Sequence, residues 1–485
     1  MHMRKARLLF ITLLLASCAI GQTRQSPGGP QVPPPPPPPQ PARKPPPPPP
    51  LALTPVQIHA VVDSLCSRLQ EAYIFPDTAA RIAQYLQAQY EKGAYSNYRD
   101  PRELVIRLRS DLRTAHHDDH LRLEYRQPER ETGATRGQRA GNGEAPQLQE
   151  PDTAGEAQRR REDNARRLAE AREKNFSFVR AEVLPGNIGY VRLDGFTGFV
   201  DEAMPTISSA FRFVSHTQAL IIDVRSNGGG SPWMVTRVES YFFPERTHMN
   251  DIVSRYEGTT EMWTDPGKTD GLYLSMPVYI LACRGTHSAA EDFTYGMQSI
   301  HRAIIVGDTT IGGAHPTRGY EIGLGFFAMI PGARSLNPYT HTDWEGTGVR
   351  PDVLVAPEKA LEAAESAFFT RQIQQAGTDE EKARFQWQFN NLKASLVTVT
   401  PDSAALAPYA GVYEGGLEFY VRGRDLYCRN PERGGGVFRC RYFAPGEFVL
   451  DENVELKFTR DGSGKVNGME MHWSFGGVSY KARNR

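Results

Sequence analysis

Apolar positions follow two rhythms along this chain, and the change from one to the other marks its organisation. From Thr54 onward, Ile58, Val61, Val62, Leu65 and Leu69 recur at helical spacing and predict one buried helix face. Thr54 as N-cap, Pro55 at the first helical position and Gln57 at the third make a capping-box start. Further helices are predicted over 77–90 and 101–112, the second capped by Asp100 with Glu103 at its third position. Together they predict a helical module over 54–125, ending in a strand that leaves the polar turn around His120. Residues 126–177 are charged and poor in large apolar side chains, so they read as an insertion or linker with a solvated helix near 154–174.

Beyond Phe178 the pattern becomes one of short apolar runs alternating with amphipathic stretches. Strands are predicted over 188–193, 219–224, 278–283 and 303–306, and helices over 201–213, over 234–243 and from Ser288 onward. A hairpin-like segment runs through 326–330, and the alternation predicts an α/β core spanning 178–364. A helical linker is expected over 365–405. Residues 406–485 then carry short strands at 411–413, 417–421, 448–450, 454–458 and 466–471, a small β domain of lipocalin-like outline. It holds no catalytic constellation. Cys428 and Cys440 fall on what read as adjoining strands, so a disulfide between them is expected in an exported chain.

The N-terminus adds export to this picture. Arg4, Lys5 and Arg7 precede an apolar run over 8–16 that is too short to span a bilayer, and residues 1–21 read as a signal peptide. Leu15-Ala16-Ser17-Cys18 is similar to a bacterial lipobox, which would lipidate Cys18; ordinary cleavage after Gly21 is the alternative. Residues 22–53 hold two proline runs, favour polyproline II and read as a stalk. Among 485 residues, 56 basic side chains balance 56 acidic ones, which removes any broad electrostatic case for nucleic acid. Five cysteines without a CxxC pair exclude a disulfide-built scaffold and a structural zinc motif.

Ser288 is the centre of the candidate chemistry. It stands between an apolar strand and a helix opening with Ala289 and Ala290, where the first helical N–H groups are free to meet a developing oxyanion. The plainer reading of the same residue is a helix cap. His116, His117, Asp118, Asp119 and His120 are metal-ligating types, but consecutive side chains of an extended segment face opposite ways and no partner cluster is evident, so no metal is expected. Cys283 reads as a strand cysteine, and Asp223 and Arg225 as braces of the glycine turn at 228–230.

Five stretches together resemble peptidase family S41. They are Gly189-Tyr190-Val191-Arg192-Leu193, Ile222-Asp223-Val224-Arg225-Ser226-Asn227-Gly228-Gly229-Gly230, Thr286-His287-Ser288-Ala289-Ala290-Glu291, Val306-Gly307-Asp308-Thr309-Thr310-Ile311-Gly312-Gly313, and Trp344-Glu345-Gly346-Thr347-Gly348-Val349-Arg350-Pro351-Asp352. They occur in family order across residues 54–360. The resemblance implies a ClpP/crotonase-like core and a serine peptidase working through an acyl-enzyme. The lysine of the family's processing proteases is matched here by Gly313, and there is no room for their usual PDZ module.

The chain is instead similar to the tricorn and interphotoreceptor retinoid-binding branch. That likeness makes Ser288 the nucleophile, His120 the general base and Glu345 the group that orients or polarises the site. Backbone N–H groups of Gly228 or Gly229 and of Ala289 would receive the oxyanion. Glu291 would support the site or cap its helix, and either Asp119 or Glu345 would hold the imidazole. The expectation is a peptide or protein substrate of nonpolar or C-terminal preference, no cofactor, no nucleic acid, a lipid tether at the cell envelope or periplasm, and room for a homo-oligomer. A non-catalytic carrier of apolar ligands on the same fold, or a cell-envelope adaptor, is the competing reading.

Overall fold

The structure is a computed structural model that describes residues 52–127, 154–397 and 401–484. These lie in one compact unit, Pro50–Arg485. The expected signal peptide, the lipidation at Cys18 and nearly all of the proline stalk lie outside the described residues, as does the middle of the 126–177 insertion. No described helix is long and apolar enough to cross a membrane.

In chain order the structure has α1 (Pro55–Ala72), α2 (Pro76–Glu91), α3 (Pro101–Ala115), β1 (Arg122–Tyr125), α4 (Ala154–Glu173), β2 (Phe178–Leu184) and β3 (Ile188–Leu193). Then come α5 (Val200–Phe213), β4 (Ala219–Asp223), α6 (Pro232–Glu239), β5 (His248–Ser254), β6 (Gly258–Trp263), β7 (Val278–Ala282), α7 (Ala289–Ser299) and β8 (Ala303–Gly307). They are followed by β9 (Thr317–Gly323), β10 (Phe326–Pro331), β11 (Ala333–Leu336), β12 (Val353–Leu354), α8 (Ala360–Gln375) and α9 (Asp379–Leu396). After a helical turn α10 (Ser403–Leu406), eight strands from β13 (Gly411–Tyr413) to β20 (Val478–Ala482) complete the chain.

The central sheet runs β12-β8-β7-β4-β3-β2, parallel throughout except for the antiparallel β2–β3 edge pair. Alternate side chains divide between its two faces. Val191, Leu193, Leu220, Ile222 and Ile280 pack towards α5, α6 and α7. Ile188, Tyr190, Ile221, Tyr279 and Leu281 pack towards Phe368 and Phe369 of α8 and Phe385 of α9. Burial on both faces explains why β4 and β7 read as unbroken apolar runs. It also places α8 and α9, expected as a linker, on the back of the core; the boundary expected between 364 and 365 falls inside α8. Each fully buried phenylalanine there contributes on the order of 1.5–3 kcal/mol.

The helical module packs on a second sheet, β1-β10-β9, through Ile322, Phe326, Ala328 and Ile330. Its capping box is present: the Gln57 N–H donates to Thr54 Oγ1 at 3.3 Å and the Thr54 N–H to Gln57 Oε1 at 2.9 Å. A third sheet, β11-β5-β6, includes the β5–β6 hairpin, whose polar, mostly exposed second strand gave no apolar rhythm to read.

The C-terminal eight strands form an antiparallel meander that curls towards closure. Tyr413 bridges to Arg483, and the Glu414 N–H donates to the Ala482 carbonyl at 2.9 Å. The disulfide expected here is corrected: Cys428 and Cys440 are free thiols. They do lie on neighbouring strands, but Cys428 is opposite Phe438 and Cys440 opposite Leu426, so neither sulfur directly faces the other.

Candidate active site

The C-terminal ends of β4, β7 and β8 open towards one cavity of about 690 Å³ that is lined by Ser288, His120, Gly230, Asp292, Gly313 and Trp344, among others. Ser288 forms the N-cap of α7 with φ 55° and ψ −123°. Such a conformation costs a non-glycine residue about 1–3 kcal/mol and persists only when the surroundings fix it. Glu291 does so. Fully buried, it accepts from the Ser288 N–H at 2.9 Å, Thr310 Oγ1 at 2.5 Å, the Gly312 N–H at 2.7 Å and the Gly313 N–H at 2.9 Å. It therefore caps the helix and ties the serine turn to the glycine segment after β8. Burial pushes its carboxyl above the ordinary range despite these four donors.

The glycine turn after β4 is braced as its sequence suggests. Arg225 grips Asp223 through Nε at 2.9 Å and Nη2 at 2.6 Å, and Tyr190 donates to the same carboxylate at 2.7 Å. Asn227 carries the turn to the serine: its carbonyl accepts from the His287 N–H at 3.0 Å, and its amide nitrogen donates to the Leu193 carbonyl at 2.9 Å. Gly229, at φ 99°, has no room for a side chain, because a Cβ there would lie 2.8 Å from both Ser288 Cβ and the His287 carbonyl. Its N–H is taken by Asn227 Oδ1 at 2.9 Å. That removes Gly229 from the two oxyanion donors considered beside Ala289. The N–H groups of Gly228 and Ala289 have no acceptor among the described residues.

His120 enters from the loop between α3 and β1. Its ring stacks on His287 with centroids 4.7 Å apart and 22° between planes, and its Nδ1 is buried with no partner among the described residues. Burial, with His287 adding to it, holds the His120 imidazole down at about 4. Burial lowers His287 as well. No hydrogen bond joins the His120 ring to Asp119 or Glu345 among the described residues, so the structure gives neither carboxylate a direct hold on it. Asp119 turns away to Arg113 at 3.2 Å, as expected of alternate side chains in an extended loop. Asp118 faces inward instead and accepts from the His120 N–H at 2.9 Å, so the backbone rather than the ring is held.

His315, which no sequence motif singled out, completes the arrangement. Its Nδ1 lies 3.1 Å from Asp118 Oδ2 and 3.6 Å from Glu345 Oε2, while Tyr73 donates to Asp118 at 2.8 Å and the Ala314 N–H to Glu345 at 2.5 Å. Burial opposes charge on Asp118, yet the bonds from His315 and Tyr73 bring its carboxyl to about 2. Burial carries Glu345 up to about 7, and the pull of Asp118 raises His315 against its own burial. One ligand atom from each of Asp118, His315 and Glu345 falls within 4.8 Å of the others, a set chemically able to hold a divalent cation. This is the partner cluster that the sequence did not reveal. The His315 imidazole also lies between the two carboxyls, placed to bond to Asp118 and close to Glu345.

Two family models match the chain: "Peptidase family S41" over residues 187–355 and "N-terminal domain of Peptidase_S41 in eukaryotic IRBP" over residues 52–159. The first contains Ser288, the glycine turn and Glu345, and the second contains His120. Over 179 residues the chain is 27% identical to carboxyl-terminal-processing peptidase 2 of Arabidopsis thaliana, covering 35% of this chain and 33% of that protein. Over 174 residues it is 28% identical to a carboxyl-terminal-processing protease of Synechocystis, covering 35% and 39% respectively. The match thus spans between about a third and two fifths of these relatives' lengths. A photosystem II D1 C-terminal processing protease structure aligns at a TM-score of 0.31 and 26% identity, covering 36% of this chain and 45% of that one. The fold is thus S41-like, with residues 187–355 similar to the peptidase family S41 and residues 52–159 similar to its N-terminal domain model.

Proposed function

We propose that the chain is an exported serine peptidase that cleaves peptide bonds through an acyl-enzyme on Ser288. The observation that carries this reading is the constrained backbone of Ser288 at the opening of α7, in a cavity that also takes in His120. Ser288 Oγ attacks the scissile carbonyl while neutral His120 accepts its proton. The Ala289 and Gly228 N–H groups receive the oxyanion. His120 then protonates the leaving amine, and water releases the acyl group by the same route in reverse. Asp118 acts as a positioning residue by holding the His120 backbone.

Gly313 in place of a lysine supports a serine–histidine site over a serine–lysine dyad, in keeping with the tricorn-like branch. Export, with Cys18 lipidated, follows from the N-terminal sequence and belongs to the same proposal; fractionation of Cys18→Ala tests it. The test of the chemistry is fluorophosphonate labelling and peptide-library hydrolysis by the mature chain. Ser288→Ala should lose the label, and His120→Ala should lower turnover by about 10²–10⁴-fold. Full turnover in either variant overturns the assignment. Labelling lost without any turnover, together with tight binding of an apolar ligand by Ser288→Ala, would make the chain a carrier instead.

A further inference from the structure

Asp292 lies one helical turn after Ser288 on α7 and lines the same cavity, with 8% of its surface exposed. Behind it, Glu239 at the end of α6 is 1% exposed, and its Oε2 has no hydrogen-bond partner among the described residues. Glu239 Oε1 reaches α7 one turn further on, 3.1 Å from the Cβ that an alanine at Gly296 would carry. A buried carboxylate whose Oε2 has no partner among the described residues thus packs against α7 one turn beyond the Asp292 of the cavity wall, near enough to feel its charge.

Among the described residues no cation acts on either acid, although Arg167 and Arg318 line the same cavity. From β5, Asn250 donates to the Asp292 carboxyl and also to Ser335 Oγ on β11 at 3.2 Å. Asp292 is the one charged neighbour acting on Glu239 among the described residues. Arg318, at the cavity wall, is already engaged by Glu257. Burial pushes Asp292 up to about 7 and Glu239 well above the carboxylate range, the signature of two acids that cannot both ionise without a cation. Phe199 and Trp233 supply apolar surface in the same cavity, suited to the methylene stem of a long cationic side chain.

We propose that Asp292, backed by Glu239, forms the floor of the substrate pocket and selects a lysine or arginine side chain on the acyl side of the scissile bond. The proposal rests on the serine-peptidase reading for the bond that is cut, but not for the recognition of the cation. An ammonium or guanidinium entering the pocket would supply the missing counter-charge and accept ionisation of the pair. A purely apolar pocket would have no use for two buried acids.

The experiment separates recognition from chemistry. Fluorescence of p-aminobenzamidine, with competition by arginine amide and norleucine amide, is measured on Ser288→Ala, which cannot turn over. Arginine amide should displace the probe at about tenfold lower concentration than norleucine amide, and Asp292→Asn should erase that difference. Glu239→Gln, which keeps the shape of the buried side chain, should reduce it. In the wild-type chain, the ratio of kcat/KM for matched arginine and norleucine peptides should fall by about tenfold or more in Asp292→Asn. No probe binding, or equal competition by the two amides, overturns the proposal, and competition by the amides decides the matter even where Asp292→Asn fails to fold. Cleavage of norleucine peptides with Ser288 labelled would then leave the peptidase reading standing. Probe binding without Ser288 labelling would overturn that reading alone.

Discussion

Gly313 stands against His120 so closely that a Cβ at 313 would lie 2.4 Å from His120 Cε1 and 2.5 Å from His287 Nε2. Two stacked imidazoles therefore occupy the space into which a lysine at this position would extend. Gly313→Ala should displace the His120 ring and lower kcat by at least about tenfold. Gly313→Lys should not create a working dyad unless both histidines are first made small. Steady-state kinetics on both variants check this, and wild-type turnover by Gly313→Ala would refute the steric argument.

His287 adds to burial in lowering the proton affinity of its neighbour. Burial and the adjacent His287 hold His120 at about 4, below its ordinary 6.5. The base is needed neutral, so kcat/KM for norleucine peptides, which make no call on an ionised Asp292, should persist on acidification and fall only as pH drops through about 4. His287→Ala removes the like charge and opens the pocket, and both changes raise the His120 pKa. The acid limb of kcat/KM should therefore move upward towards 6.5. A pH profile with an unmoved limb would count against His120 as the base.

The Asp118–His315 pair should give a stability that depends on pH with a definite sign. Asp118 is depressed to about 2, so its contribution is complete above 3.8 and is lost as pH falls through 2. His315 is raised above 6.5, so its contribution is complete below 6.5 and is lost as pH rises through the folded value. Thermal melts should show His315→Asn costing more near about pH 5 than near about pH 9. A melt that rises with added zinc and falls with chelator would instead identify the Asp118, His315 and Glu345 cluster as a metal site.

Cys428 and Cys440 should behave as buried thiols. Burial pushes Cys428 up to about 12 and raises Cys440 still more clearly. Native protein should resist alkylation at both positions, and reductant should leave the melting temperature unchanged. A disulfide would contribute about 2–4 kcal/mol, enough to be seen as a fall on reduction.

Local sequence carried the local structure. The capping box at Thr54 and Gln57, the Asp100 cap and the apolar runs of β4 and β7 each state their conformation within a few residues, because caps and side-chain periodicity are short-range effects. The order of the glycine turn, Thr286 to Glu291 and Trp344 to Asp352 likewise brought Ser288 and Glu345 forward together, and the likeness to the tricorn branch added His120. Which atom meets which was not legible. Asp118 rather than Asp119 faces inward because of the dihedral angles of one loop, and it meets His315 across 197 positions of chain. Glu239 and Asp292 look like ordinary helix acids in sequence, and only the packing of α6 on α7 deprives them of water and of a cation. Elements follow from neighbours in the chain, whereas partners at the site follow from the close packing of segments far apart in it.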